Sequence, residues 1–408
     1  MMMTLQDSST ETSNLTLGVI SGMRVYRGEN SWFTHLSFGR VLNRLADHFA
    51  HVVYMAKEIT EQSPAMDSEL NPQKIEVAPG PSYHHSINAL RHPLRFWRGY
   101  RSLVEQCDVV FIRGMVPFSW FIHFHCWRRR RPVSHWLVGN PVELLKMESR
   151  FGGMKDKLAL WYCMFDETTL GAAARLSRAA LVVNGQELSE KWRKLSPMTV
   201  VSSTISLDEF KERDDTCQAT PVRILFVGFI RPEKGLEYLV RALRLVNDCA
   251  PANLHIVGPR DGFPEEVRRI ESVIDELGLK DMVHWENYAS FGDALFGHLD
   301  AADILALPSL SEGTPRVLVE ARARCLPVVS TTVGGIPSSV TDGEDGLLVP
   351  AKDSASLSKA LLRLIHDSTL RQKIIRQGHA RAKALCVERF TDQLFGGIQE
   401  AIARRSRK

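Results

Sequence analysis

No uninterrupted apolar run in the chain approaches the roughly twenty residues that a membrane-spanning helix needs. The longest candidate, residues 115–127, is short and holds two histidines, so no spanning segment is expected. Cysteine is sparse: seven residues, an odd number, are scattered without a C-x-x-C pair. That pattern argues against both a disulfide framework and a zinc site, and favours a reducing, cytoplasmic setting. Residues 1–14 are polar and rich in Ser and Thr, without a basic segment leading into an apolar core. They read as a disordered leader rather than a signal peptide. Nothing in the chain resembles a nucleic-acid-binding motif, and no nucleic-acid partner is expected.

What is present is the composition of a globular protein too long for one ordinary core. At 408 residues, two domains are the default. Charge is unevenly spread: residues 1–204 hold 24 Lys and Arg against 18 Asp and Glu, whereas 205–408 hold 27 against 29. The basic first half suits an anionic surface or acceptor. Apolar runs at 16–22 and 51–56, separated by a helix-like run at 32–49, open the chain as a βαβ unit of the doubly wound kind. Residues 23–30 are its strand-to-helix loop, with Arg27, Gly28, Glu29 and Asn30 either facing a ligand or simply making a turn. Residues 60–90, broken by four prolines, read as an irregular excursion. Further strands are expected at 108–113, 133–138, 179–183 and 198–203. The charged, polar stretch 211–221 then reads as a linker, because 222–228 starts a second βαβ series. The expected organisation is therefore a leader at 1–14, a first α/β domain at 15–210, the linker at 211–221, a second at 222–389 and a closing helical segment at 390–408.

The second series contains the most informative stretch. A strand at 302–307 stops at Pro308, and a turn holding Ser309, Glu312, Gly313 and Thr314 opens a helix on which Glu320 follows eight residues after Glu312. Free amides and the positive dipole end of that helix face whatever binds there, and anionic phosphate is the natural guest. The Glu pair at this spacing, together with Leu326 to Pro337 and Asp342 to Pro350 in order, resembles the E-x7-E signature of retaining glycosyltransferases of family four, which have the GT-B fold.

The resemblance implies an α/β GT-B architecture, two Rossmann-like domains facing across a cleft, and transfer of a sugar from a nucleotide-diphospho-sugar to a glycan or lipid-linked acceptor. It implies no metal and no cofactor besides the donor. By resemblance, Glu312 contacts hydroxyls of the donor sugar, Glu320 those of the ribose, and Gly313 and Thr314 supply backbone amides, unless their turn is merely tight. Gly228, ending its strand, and Lys234 with Gly235 resemble the diphosphate loop; a plain surface lysine is the alternative. Relatives commonly place Arg directly after the Gly, but here Phe229 stands there and Arg231 is the expected substitute. Lys234 and Arg231 would then neutralise the leaving diphosphate. Where relatives often carry a His, this chain reads Val138, Gly139, Asn140, Pro141, and the double Gly of the first loop is absent. His135 is expected to pack inside its strand, His84 and His85 have no framework, and no catalytic base is assigned. The competing function is a catalytically weak or inactive GT-B scaffold in a polysaccharide assembly complex.

One more feature concerns location. Between Arg91 and Arg131 nine arginines stand against Glu105 and Asp108, interleaved with aromatics, and Arg128 to Arg131 are consecutive. This stretch either docks on anionic lipid headgroups, making the protein peripheral at the inner face of the cell membrane, or is a core-plus-rim segment with ordinary solvated arginines.

Overall fold

The computed structural model describes residues 12–61, 66–81, 89–140, 142, 145 and 154–407. The leader expected at 1–14, apart from its last three residues, lies outside these, as do His84 and His85. The chain forms two compact units, Met1–Val200 with Phe390–Lys408, and Val201–Arg389.

The first unit is built on nine strands: β1 (Thr16–Arg27), β2 (Trp32–Thr34), β3 (His51–Ile59), β4 (Ser68–Glu69), β5 (Ile75–Pro79), β6 (Val109–Arg113), β7 (Val133–Leu137), β8 (Ala180–Asn184) and β9 (Met198–Val200). Seven run parallel in the order β5, β3, β1, β6, β7, β8, β9, while β2 pairs antiparallel with the last three residues of β1 and β4 pairs antiparallel with β2. Residues 23–30 are therefore not the loop that the sequence suggests. After a register shift between Ile20 and Arg24, β1 continues to Arg27 and turns back at Gly28, whose N–H donates to Ser31 O at 2.9 Å. The buried pair Val25 and Thr34 holds the ribbon, and Thr34 Oγ1 donates to Arg24 O at 2.8 Å. Arg27 to Asn30 form a hairpin tip, and helix α1 (Leu36–Ala46) starts only after it. The excursion at 60–90 likewise contributes β4 and β5.

Helices α2 (Pro93–Gln106), α3 (Ser119–Arg129) and α4 (Met154–Ser177) lie side by side with α3 in the middle, and α5 (Gly185–Lys191) follows β8. Phe96, Tyr100, Leu103, Val104, Ile122 and Cys126 bury their apolar faces against Val110 and Ile112 of the sheet. The aromatic residues of the arginine-rich stretch lock α2 to α3, with Trp97 4.9 Å from Phe121 and 4.2 Å from His125 between ring centroids. Arg101 and Arg129 share Glu105, and Arg131 reaches Asp108 at 3.1 Å. His135 is fully buried: its Nε2 lies 2.9 Å from Gly114 O, its Nδ1 3.1 Å from His123 Nε2, and His123 Nδ1 2.9 Å from Ser177 Oγ. A neutral chain of donors from Ser177 through His123 to His135 and Gly114 O satisfies every one of these contacts. Burial accordingly pushes His135 down to about 4 and lowers His123 well below the usual imidazole range.

The second unit holds β10 (Val222–Val227), β11 (Ala252–Val257), β12 (Val283–Glu286), β13 (Ile304–Leu307), β14 (Val328–Thr331) and β15 (Leu347–Val349), all parallel in the order β12, β11, β10, β13, β14, β15. Its helices are α6 (Leu236–Asn247), α7 (Pro264–Glu276), α8 (Asp293–Ala301), α9 (Arg316–Ala323), α10 (Ile336–Ser339), α11 (Ser354–His366) and α12 (Ser368–Ala384). All four residues of β13 are buried, the near-continuous apolar run of a parallel strand covered on both faces. Residues 211–221, which read as a linker, are fastened to this unit. Arg213 donates to Asp300 O at 2.9 Å and Ala302 O at 2.8 Å, and Asp215 accepts from the buried Arg371 at 2.6 and 2.9 Å. The last helix, α13 (Val387–Ser406), passes into the first unit, where Phe390 lies 5.2 Å from the ring of Trp136 and Phe395 stacks on His48 at 4.0 Å. Among the described residues no helix is long and apolar enough to cross a membrane.

Candidate functional site

In the second sheet the chain leaves β10 toward β11 on one side, while β13 leads to β14 on the other. Two neighbouring parallel strands whose connections part in this way leave a crevice at their carboxyl ends, the usual ligand position in an open α/β sheet. The loops after β10 and β13 carry the residues singled out in the sequence.

After β10 come Gly228, the half-exposed Phe229, the buried Ile230, and then a short turn, Pro232–Lys234, that ends at Gly235. Gly235 has φ +65°, and a Cβ there would sit 2.2 Å from Pro308 O, so only glycine lets this loop lie against the end of β13. Leu310 N–H donates to Glu233 O at 2.7 Å and closes the contact. The two loops are one structure.

That closeness joins Lys234 to Glu312. The ammonium binds Glu312 Oε1, and Ser309 Oγ donates to the same oxygen at 2.9 Å. The two charged side chains are 20 % and 11 % exposed, shielded enough to feel each other strongly yet open to a ligand. From the far side Gly334 and Gly335, just beyond β14, press on the turn. A Cβ on Gly334 would lie 1.8 Å from Glu312 O, one on Gly335 2.2 Å from Gly313 O, and Gly335 N–H donates to Glu312 O at 3.3 Å. Thr331 Oγ1 also donates to Ser309 O at 2.7 Å. Position and backbone direction of Glu312 are thus set by three strand ends.

Gly313 is exposed, whereas Thr314 is buried with its hydroxyl 2.9 Å from Ser202 Oγ. Arg316, the first residue of α9, donates to Thr204 Oγ1 at 2.8 Å. Residues 202–204 therefore brace the start of α9 within the second unit. Arg231 does not join the Lys234 and Glu312 pair. Its guanidinium lies between the rings of Phe229 and Phe263, 5.2 and 5.1 Å from their centroids, and reaches Glu233 Oε1 at 3.5 Å. Glu320 lies on α9 and is buried.

Sequence reasoning missed what holds α9. Arg322 is fully buried and gives hydrogen bonds to Leu318 O, Ser339 O, Ser339 Oγ and Asp345 Oδ2, all at 2.8–2.9 Å. Burial pulls this guanidinium down to about 10, the Asp345 carboxylate opposing the shift. Asp345 also accepts from Thr341 N–H at 2.6 Å. The Asp342 to Pro350 motif thus anchors the helix that carries Glu320. The available signal was an arginine inside an otherwise apolar helix face. Ser309 carried no signal of its own. Among the described residues no group of three or more His, Cys, Asp and Glu is placed to hold a metal ion.

Residues 208–381 match the protein family described as "Glycosyl transferases group 1". The D-inositol 3-phosphate glycosyltransferase of Stackebrandtia nassauensis is 32 % identical over 187 residues, which are 44 % of this chain and 42 % of that protein. The chain spans less than half the length of this curated relative. Among solved structures, sucrose-phosphate synthase from Thermosynechococcus elongatus superposes over 96 % of this chain and 100 % of its own, with a TM-score of 0.67 at 19 % identity. Anabaena HepE in complex with UDP-glucose does so over 95 % and 100 %, with a TM-score of 0.66 at 15 % identity. The architecture is thus the two-unit, Rossmann-like α/β arrangement of GT-B proteins.

Proposed function

We propose that the protein is a retaining glycosyltransferase of family four that moves a sugar from a nucleoside-diphosphate sugar to a glycan or lipid-linked acceptor. The carrying observation is the Lys234 and Glu312 pair at the crevice between β10 and β13. The group 1 match over 208–381 supports the activity, and the UDP-glucose complex of the similarly folded HepE supports a nucleotide-sugar donor.

An ammonium has three donors, so Lys234 can keep Glu312 and still bind diphosphate oxygens. As the bond from the anomeric carbon to the diphosphate breaks, its electron pair goes to the phosphate oxygen, and negative charge grows there. A cation already held in place then lowers the barrier without reorganising. Lys234 supplies that charge, and Arg231, on the same loop and held against the rings of Phe229 and Phe263, adds to it. Lys234 and Ser309 both occupy Oε1 of Glu312. Oε2 is the atom that takes a hydrogen bond from a sugar hydroxyl. Glu320 binds the ribose hydroxyls, while Gly228, Gly313 and Thr314 line the donor with backbone. No step in this scheme uses a metal.

The acceptor lies on the first unit, and a lipid-linked one places the protein on the cytoplasmic face of an anionic membrane. The test is release of nucleoside diphosphate from a panel of sugar donors, with and without lipid-linked acceptor, and NMR of the product anomer. Acceptor-dependent release with the donor's configuration kept is expected. Donor binding without turnover under any of these conditions would favour the inactive scaffold, a role that the Phe229 substitution makes worth testing.

A further inference from the structure

The first unit carries an apolar surface that the donor site does not use. Helix α4 has 24 residues, about 36 Å at 1.5 Å each. The strand it leads into, β8, has five residues, about 17 Å. Because α4 ends at Ser177, beside the amino end of β8, about eleven residues of helix cover the strand. The remainder, residues 154–166, overhangs the carboxyl edge of the sheet. Its sequence from Leu158 to Phe165 is nevertheless apolar throughout. Ala159 and Tyr162 are buried, but Leu158, Trp161, Met164 and Phe165 are 45 %, 61 %, 52 % and 45 % exposed. The Trp161 and Phe165 rings stack at 5.7 Å in the open.

Helix α2 runs back along β6 in the same sense, so its first turn stands at the same edge, with α3 between it and α4. Leu94 there is 68 % exposed, and Arg91, Arg95 and Arg98 are exposed beside it. Between Glu76 and Glu105 the sequence has no acidic residue. Among the described residues none of these three arginines lies within ion-pair distance of an acid. Arg128 to Arg131 end α3 where it enters β7, at the opposite edge, and two of them are taken up by Glu105 and Asp108. The arginine-rich stretch is thus two surfaces.

We infer that the overhanging face of α4 and the first turn of α2 dock on an anionic bilayer. Leu94, Leu158, Trp161 and Phe165 enter the boundary between headgroups and acyl chains, and Arg91, Arg95 and Arg98 meet the phosphates. A second copy of the chain fits worse, since a two-fold contact would bring the same exposed arginines together. The inference deepens the lipid-linked acceptor reading and rests on it for purpose, but its test does not need turnover.

Full-length protein is sedimented with phosphatidylcholine vesicles, with or without about a third phosphatidylglycerol. The parent should bind the anionic vesicles at least about tenfold more strongly and be released by high salt. Trp161→Ser with Phe165→Ser should lose about tenfold or more, as should Ala at Arg91, Arg95 and Arg98, while Ala at Arg128 to Arg131 should change little. Parental binding by the double serine variant overturns the inference. So does loss with the 128–131 variant alone, or a concentration-dependent dimer in light scattering that the serine variant abolishes. Nucleoside diphosphate release in vesicle-free solution is measured alongside. If the parent binds vesicles as expected but turns over no donor, the enzymatic reading fails and the docking surface stands.

Discussion

Lys234→Ala removes the cation on which the proposed chemistry depends. In the free protein its ammonium binds Glu312 Oε1, and deletion leaves that oxygen with the Ser309 hydroxyl at 2.9 Å. A hydrogen bond to a charged group contributes about 1.5–3 kcal/mol. Both side chains keep some contact with solvent, 20 % and 11 %, so the stability loss is nearer about 1–2 kcal/mol. That lowers Tm by about 2–8 °C for a unit of this size. The kinetic loss is larger. Withdrawing one preorganised group from developing charge costs about 2.7–4 kcal/mol, or roughly 10² to 10³ in kcat/KM. The assay is the initial rate of nucleoside diphosphate release at subsaturating donor, with circular dichroism as a check on the fold. Lys234→Arg, which keeps the charge, should recover part of the loss. A Lys234→Ala variant within about threefold of the parent would refute leaving-group stabilisation by this residue. Arg231→Ala, measured beside it, should show a comparable fall if Arg231 replaces the arginine missing at Phe229; a small effect would confine it to a packing role between the two rings.

Glu320→Ala should raise the donor KM by about 10- to 100-fold with kcat less affected, as expected for a lost hydrogen bond to a carboxylate. Unchanged donor binding would remove the ribose role. Gly335→Ala puts a Cβ 2.2 Å from Gly313 O and must push the Glu312 turn outward. Activity should fall about tenfold or more while the fold persists, and parental kinetics would show that the turn needs no such clamp. The buried His135 sits at about 4, below the ordinary 6.5. The unfolded chain therefore binds more protons between these values, and stability is full above pH 6.5 and falls as pH drops toward 4. The loss amounts to roughly 3 kcal/mol. Thermal unfolding from pH 7.5 to 4 should show this slope, and His135→Gln should make it shallower, the buried His123 keeping its own share; an identical profile in the variant would assign the acid sensitivity elsewhere.

The sequence alone determined the strand runs and the places where they stop. Parallel strands covered on both faces need uninterrupted apolar side chains, so Ile224 to Phe226 and Ile304 to Leu307 stood out locally, as did the Gly-containing turns behind them. Glu312, Lys234 and Gly235 could be placed at strand ends for the same reason. What local pattern could not supply was pairing. The union of Lys234 with Glu312 bridges 78 positions and that of Asp215 with Arg371 bridges 156, and both depend on the order of strands in the sheet. A charged run such as 211–221 looks the same whether it is solvated or bound to distant carbonyls and a buried guanidinium. The β1 and β2 ribbon escaped because its partner strand is only three residues long. Likewise the arginines from Arg91 to Arg131 are one cluster in sequence and two surfaces in space, because the intervening helices run from one edge of the sheet to the other. Burial is written in neighbouring residues, whereas which charge meets which, and which apolar residues overhang their sheet, is settled only when helix lengths and strand order are combined in three dimensions.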